Sequence, residues 1–184
     1  MRRRRLPTMV RMMSRIEEAD VLDDYADSVQ PLADALVADA GRRRMLHGHA
    51  LGHALHPLLS DAPIGAWLST AVLDVTGGAR ARPAARRLLG FGILAALPTA
   101  ITGWAEWAGT DARSRRVGLV HAGANSVALG LHAASWLLRR RGRHGAGVTL
   151  SMLANGALAS AGQLGGHLTV ARKVGSRHEH FDHG

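Results

Sequence analysis

Residues 117–138 read VGLVHAGANSVALGLHAASWLL, 22 positions without an Asp, Glu, Lys or Arg. A helix of that length rises about 33 Å at ~1.5 Å per residue, enough to cross the ~30 Å hydrocarbon core of a bilayer. A helix on the outside of a soluble protein keeps a charged stripe toward water, and this stretch has none on any side. Two further blocks share the property, residues 88–105 and 145–171, and a fourth, 62–79, holds the single acid Asp74. Charged connectors separate them: Arg80, Arg82, Arg86 and Arg87 come first. Glu106, Asp111, Arg113, Arg115 and Arg116 follow, and then Arg139, Arg140, Arg141 and Arg143. Apolar blocks separated in this way predict an all-α fold, a four-helix transmembrane bundle that is multi-pass in the cell membrane. The domain would run over residues 46–174, with spans at about 62–79, 88–105, 117–138 and 145–171.

Composition agrees with that setting. The 184 residues suit one domain, and 47% are hydrophobic but only 4% aromatic, with 22 glycines. Helices in lipid associate by close backbone approach, which small residues allow. Gly156 with Ser160 and Gly162 with Gly166 supply such pairs on the last span. Pro98 is expected to kink the second span, and Trp104, Trp107 and Trp136 fall at span ends, as interfacial aromatics do. The absence of cysteine excludes disulfides, thiolate-held zinc, Cys-ligated iron–sulfur clusters and a Cys nucleophile. The net charge of +9 sits in arginine-rich connectors with no nucleic-acid motif around them. The expected partner is therefore the lipid bilayer, not nucleic acid. No nucleophile–base set, phosphate loop or carboxylate pair forms a recognisable motif, so a non-enzymatic role is expected.

Residues 1–45 differ from the rest. Arg2 to Arg5 and Arg11 form a basic arm without the apolar stretch of a secretory signal. Ser14 and Glu17 read as the capping box of a soluble amphipathic helix. Ile16, Val21, Leu22, Tyr25, Val29, Leu32 and Leu36 form its apolar face, interrupted near Pro31, and Glu17, Glu18, Asp20, Asp23, Asp24 and Asp27 its acidic side. This segment is expected to cap the membrane domain. At the other end, residues 175–184 form a polar His-rich tail, His178 to His183, expected to be solvated.

The 11 histidines carry the functional signal. Residues 46–57 read LHGHALGHALHP, which on a helix places His49, His53 and His56 on one stripe. Four alternating spans bring His53, His56, His121 and His167 to the same membrane side. Ionisable side chains at membrane depth are costly and mark sites, and imidazole is an axial ligand of haem iron. These four histidines are the candidate cofactor-binding residues for a single b-type haem used in electron transfer, with Arg42 to Arg44 and Arg113 to Arg116 available for propionates. Two alternatives stand beside it: zinc or copper held by the same histidines with Asp61, and a cofactor-free structural or interaction module. In the latter a histidine bonds Asn125, Gln163 or a backbone carbonyl. His132 shares a face with His121 about 16 Å deeper and has no histidine opposite it, so one site at most is expected.

Several elements together, LHGHALGHALHPLLSDAPIGAWLSTAVLD (46–74), TGWAEW (102–107), HAGANSVAL from His121 and GQLGGHL (162–168), resemble an uncharacterised bacterial four-span membrane domain, notably actinobacterial. It is found alone or N-terminal to Rieske iron–sulfur domains. The resemblance covers about residues 16–174 and implies a membrane domain with a redox association. The family's first histidine motif reads Gly-His-Pro-Leu-His-Pro; here Ala54 replaces the first proline, and His53 and His56 are retained. Without cysteine this chain carries no Rieske centre, so an electron partner would be a separate redox protein.

Overall fold

The computed structural model describes residues 7–175; the arginines of the basic arm (Arg2 to Arg5) and the histidines of the tail (His178 to His183) lie outside them. Among the described residues the fold is all-α: α1 (Thr8–Glu17), α2 (Asp23–Val37), α3 (Ala40–Leu46), α4 (Leu55–Thr76), α5 (Gly78–Ala108), α6 (Ala112–Arg140) and α7 (His144–Gly166). A π-helical turn over His167–Ala171 extends α7. Short turns separate the four long helices. Gly78 takes φ +57° at the start of α5, and Gly142 takes φ +75° between α6 and α7, a left-handed conformation that glycine adopts without penalty. Asp111 caps α6, accepting from the amides of Arg113 and Ser114 at 3.0 and 3.1 Å.

Helices α4 and α5 pack as one antiparallel hairpin and α6 and α7 as another; the α5–α6 and α4–α7 contacts close the bundle. Its centre takes one residue from each helix, Trp67, Leu89, Ala128 and Leu158. Around them polar residues join the buried set, and large apolar residues cover much of the outside. Thr70, Ser114, His132 and Ser135 are fully buried, while Leu68, Val75, Leu94 and Val127 are exposed. Of the four helices, α5 alone has the length and composition of a membrane span by itself. In α6 and α7 the same surface pattern coexists with Ser, Asn, Gly and His on the inward side, which lowers their average apolarity.

Diagonally opposed α4 and α6 meet through long side chains in three rungs. His56 faces His121 with ring centroids 6.4 Å apart. Trp67 stacks on His132 at 4.2 Å. Asp74 holds Arg139 through both carboxylate oxygens, at 2.7 and 2.5 Å. The α6 member of every rung lies 65 positions after the α4 member. The outer rungs are 18 residues apart on each helix, five whole turns at 3.6 residues per turn and about 27 Å.

The N-terminal segment caps the His56/His121 end, with local structure that differs from the sequence expectation. Ser14 lies inside α1 and bonds back to the Val10 carbonyl at 3.0 Å, so it does not start a capping box; α1 ends at Glu17 and α2 starts at Asp23. Helix α2 also runs through Pro31, and α5 through Pro98. Met13 of α1 packs with Val117, Leu164 and Leu168, and Ala26 and Ala33 of α2 pack on Trp107. Ion pairs fasten this contact. Arg116 forks onto Asp23 at 2.8 and 2.6 Å, and Arg115 reaches Asp27 at 2.5 Å.

The Arg116 hydrogen bonds hold the Asp23 carboxyl below its ordinary pKa, with the Arg116 and Arg115 charges adding to the effect. Asp111 is also held low: partial burial opposes this, but hydrogen bonds from Ser114 and the charge and hydrogen bond of Arg172 prevail. A carboxyl depressed in the folded state stabilises it above the unfolded pKa of about 3.9, and that contribution is lost as pH falls through the lower folded value. Hydrogen exchange therefore reads cap docking directly. Asp23→Asn should speed exchange across residues 23–37 at pH 7 and leave α6 and α7 protected, and acid below about pH 4 should do the same to the wild type. Unchanged protection in the variant would show that apolar contacts alone hold the cap.

Candidate functional site

At the capped end the sequence LHGHALGH does not make one helix. Gly48 and Gly52 adopt φ +69° and +76°, breaking the chain into a single 3-10 turn over His49–Leu51 before α4 starts at Leu55. The stripe of His49, His53 and His56 is therefore absent. His53 is exposed and bonds the carbonyl of Ala54 at 2.9 Å. His47 spans to α5 and bonds the Ala105 carbonyl at 3.1 Å. His167 turns to the cap, its Nε2 2.8 Å from Glu17 Oε1. Of the four candidate histidines, the structure brings His56 and His121 together and gives His53 and His167 other partners.

The paired histidines sit in equivalent settings on the two hairpins. His56 Nδ1 lies 2.8 Å from the Thr99 carbonyl of α5, and His121 Nδ1 lies 2.9 Å from the Ala161 carbonyl of α7. A carbonyl only accepts, so Nδ1 carries a hydrogen in both rings, and in the neutral imidazole Nε2 keeps the lone pair. Four residues after each carbonyl comes a glycine against the ring, Gly103 for His56 and Gly165 for His121. One hairpin thus repeats the other's arrangement of histidine, carbonyl and glycine. They differ at Nε2, where the amide of Asn125 donates to His121 at 3.0 Å.

The arginines available for propionates are partly engaged elsewhere: Arg115 and Arg116 on cap aspartates, and Arg42 on the carbonyls of Leu36 and Ala35. Among the described residues no group of three or more His, Cys, Asp or Glu is arranged to hold a metal ion.

At the other end lies a site that the sequence reading missed. Asp74 and Arg139 each expose 1% of the side chain. Arg139 also donates to Ser135 and Ser151, both at 3.2 Å, Ser151 bonds Ser135 at 2.8 Å, and Ser135 donates to the Gly147 carbonyl at 2.6 Å. The signal available was Asp74 itself, a lone acid in an apolar block, which needs a buried partner. Between the ends, His132 is fully buried and stacked on Trp67, and among the described residues neither ring nitrogen nor Trp67 Nε1 has a hydrogen-bond partner.

A Cβ placed on Gly103 would lie 2.8 Å from His56 Cε1 and 3.0 Å from Nδ1. Gly103→Ala should therefore cost about 1–3 kcal/mol, the usual range for overpacking. Thermal unfolding of the single and double variants checks the origin of this cost. Combined with His56→Ala the loss should be clearly less than additive, because the clash is gone; strict additivity would place the strain elsewhere.

Comparison with known proteins bears on residues 52–178, which match a family model described as predicted membrane protein (DUF2231). No curated protein and no solved structure matches the chain. The matched range takes in α4 to α7, both histidine settings and the Asp74–Arg139 pair, and begins after α1 to α3. The chain belongs to this family of predicted membrane proteins.

Proposed function

We propose that residues 46–174 form a four-span domain of the cell membrane, α4 to α7 each crossing once, in which buried polar side chains link the helices and present a lipid-facing module to its surroundings. The observation that carries this reading is the pairing of exposed apolar with enclosed polar side chains on the same helices: Leu68, Leu94 and Val127 face outward while His132, Ser135 and Thr70 are fully enclosed beside the apolar core. A lipid solvent favours that distribution, because exposed apolar side chains cost nothing there and unsatisfied polar groups cost most. Even the shortest of the four, α4 with 22 residues, rises about 33 Å. The His56 and His121 bonds are the polar links at the capped end, each tying a helix to its hairpin partner.

One distance favours a second reading. The His56 and His121 ring centres stand 6.4 Å apart, and both imidazoles would be available to one shared iron. Nδ1 of both rings is anchored on a carbonyl, as in metal-bound histidines generally. His56 and His121 would hold the haem once Asn125 released His121 Nε2; bound haem would supply one-electron transfer, with a separate redox protein as partner.

Purified protein from cells supplied with haem separates the two. The first reading expects no absorption in the haem region, before or after dithionite, and a loss of about 1 kcal/mol of thermal stability in His121→Ala. A haem spectrum that His121→Ala abolishes and His132→Ala leaves intact would replace the first reading with the second.

A further inference from the structure

The end of the bundle away from the cap carries a cleft of about 720 Å³ between α5 and α6, lined by Arg86, Arg87, Phe91, Leu94, Trp136 and Arg140. Its charges are of one sign. Among the described residues Arg86, Arg87 and Arg140 have no acidic partner, in contrast to Arg115, Arg116, Arg139 and Arg172, which are all paired. Arg140 stands 4.7 Å over the Trp136 ring, which holds its guanidinium at the cleft, and Trp136 in turn lies against α5 at Gly90. Arg87, Phe91 and Leu94 follow one another at i, i+4 and i+7, a single stripe leading about 10 Å along α5 away from the charged end. Phe91 and Leu94 are 55% and 68% exposed.

A cationic end continuous with an apolar stripe is complementary to an amphiphile with an anionic head and a hydrocarbon chain. We propose that this cleft binds one anionic phospholipid, its headgroup phosphate bridged by Arg86, Arg87 and Arg140 and one acyl chain lying over Phe91 and Leu94. Guanidinium groups take phosphate oxygens in paired hydrogen bonds, and basic clefts between spans hold acidic headgroups in this way. The inference rests on the membrane reading above, since the stripe meets acyl chains only if α5 is a span. A free phosphate would use the same three arginines but gain nothing from Phe91 and Leu94, so the lipid is the better match to the whole cleft.

The test uses full-length, delipidated protein in a neutral detergent, titrated with phosphatidylglycerol, with phosphatidylcholine of the same chains, or with inorganic phosphate. Unfolding midpoint and lipid retained in native mass spectrometry are the readouts. Phosphatidylglycerol should raise the midpoint and be retained at one per chain, at a concentration at least tenfold below that needed for phosphatidylcholine, and phosphate should have no effect. Replacing all three arginines by Gln should abolish the preference, and replacing them by Lys should restore part of it. The proposal is overturned by an equal response to both lipids, by an equal response to phosphate, or by a preference that survives the Gln variant. Extraction of the chain from membranes by alkaline carbonate without detergent would instead overturn the membrane reading.

Discussion

Asp74 and Arg139 constrain everything around them, because a charge with almost no exposed surface tolerates no misplacement. Removing one member of such a pair typically costs 3–5 kcal/mol, since the other is left buried without compensation. The two therefore fix how far α4 and α6 slide past each other. Ser135, Ser151 and Gly147 draw α7 into the same network, so three of the four helices are set in register at that end. Five whole turns toward the cap the same register brings His56 opposite His121, and along the way it puts Trp67 on His132. The histidine pair is thus a consequence of a constraint located about 27 Å away.

The two hairpins then act as variants of one unit. Each sends a histidine from its first helix to a carbonyl on its second and receives the ring against a glycine four residues further on. Here the repeat places two imidazoles near the middle of the capped end. The cap closes over them through Asp23, Asp27 and Glu17, which engage Arg116, Arg115 and His167.

Much of this was legible in the sequence, for physical reasons that differ by element. Residues 117–138 contain no charge, and α6 runs through all of them; a 22-residue run is too long for an ordinary strand and suits a helix. The boundaries were less legible. Residues 62–79 cross the Gly77–Gly78 turn, and the arginines read as a connector, Arg80 to Arg87, form the opening turns of α5. Long arginine side chains are accommodated in a helix as readily as in a loop. The histidine stripe failed at Gly48 and Gly52, two left-handed glycines; at Gly48 the backbone of His53 and Leu55 packs where a Cβ would lie. Asp74 and Arg139 belonged to separate segments in the sequence reading, and only their common offset from His56 and His121 relates them. That offset becomes meaningful once α4 and α6 are known to run in the same direction.

The central claim, as proposed above, is that four helices turn their exposed apolar sides to lipid, and the cysteine-free chain allows a direct measurement. Nitroxide labels on single cysteines replacing Leu68, Leu97, Val127 and Leu153, one exposed position on each of α4 to α7, are followed in liposomes by their collisions with oxygen and with a water-soluble nickel chelate. The account predicts that all four labels are relaxed by oxygen and shielded from nickel, whereas a label at Val21 in the cap, which is 70% exposed, is relaxed by nickel. A label on any of the four helices as open to nickel as the one at Val21 would contradict it.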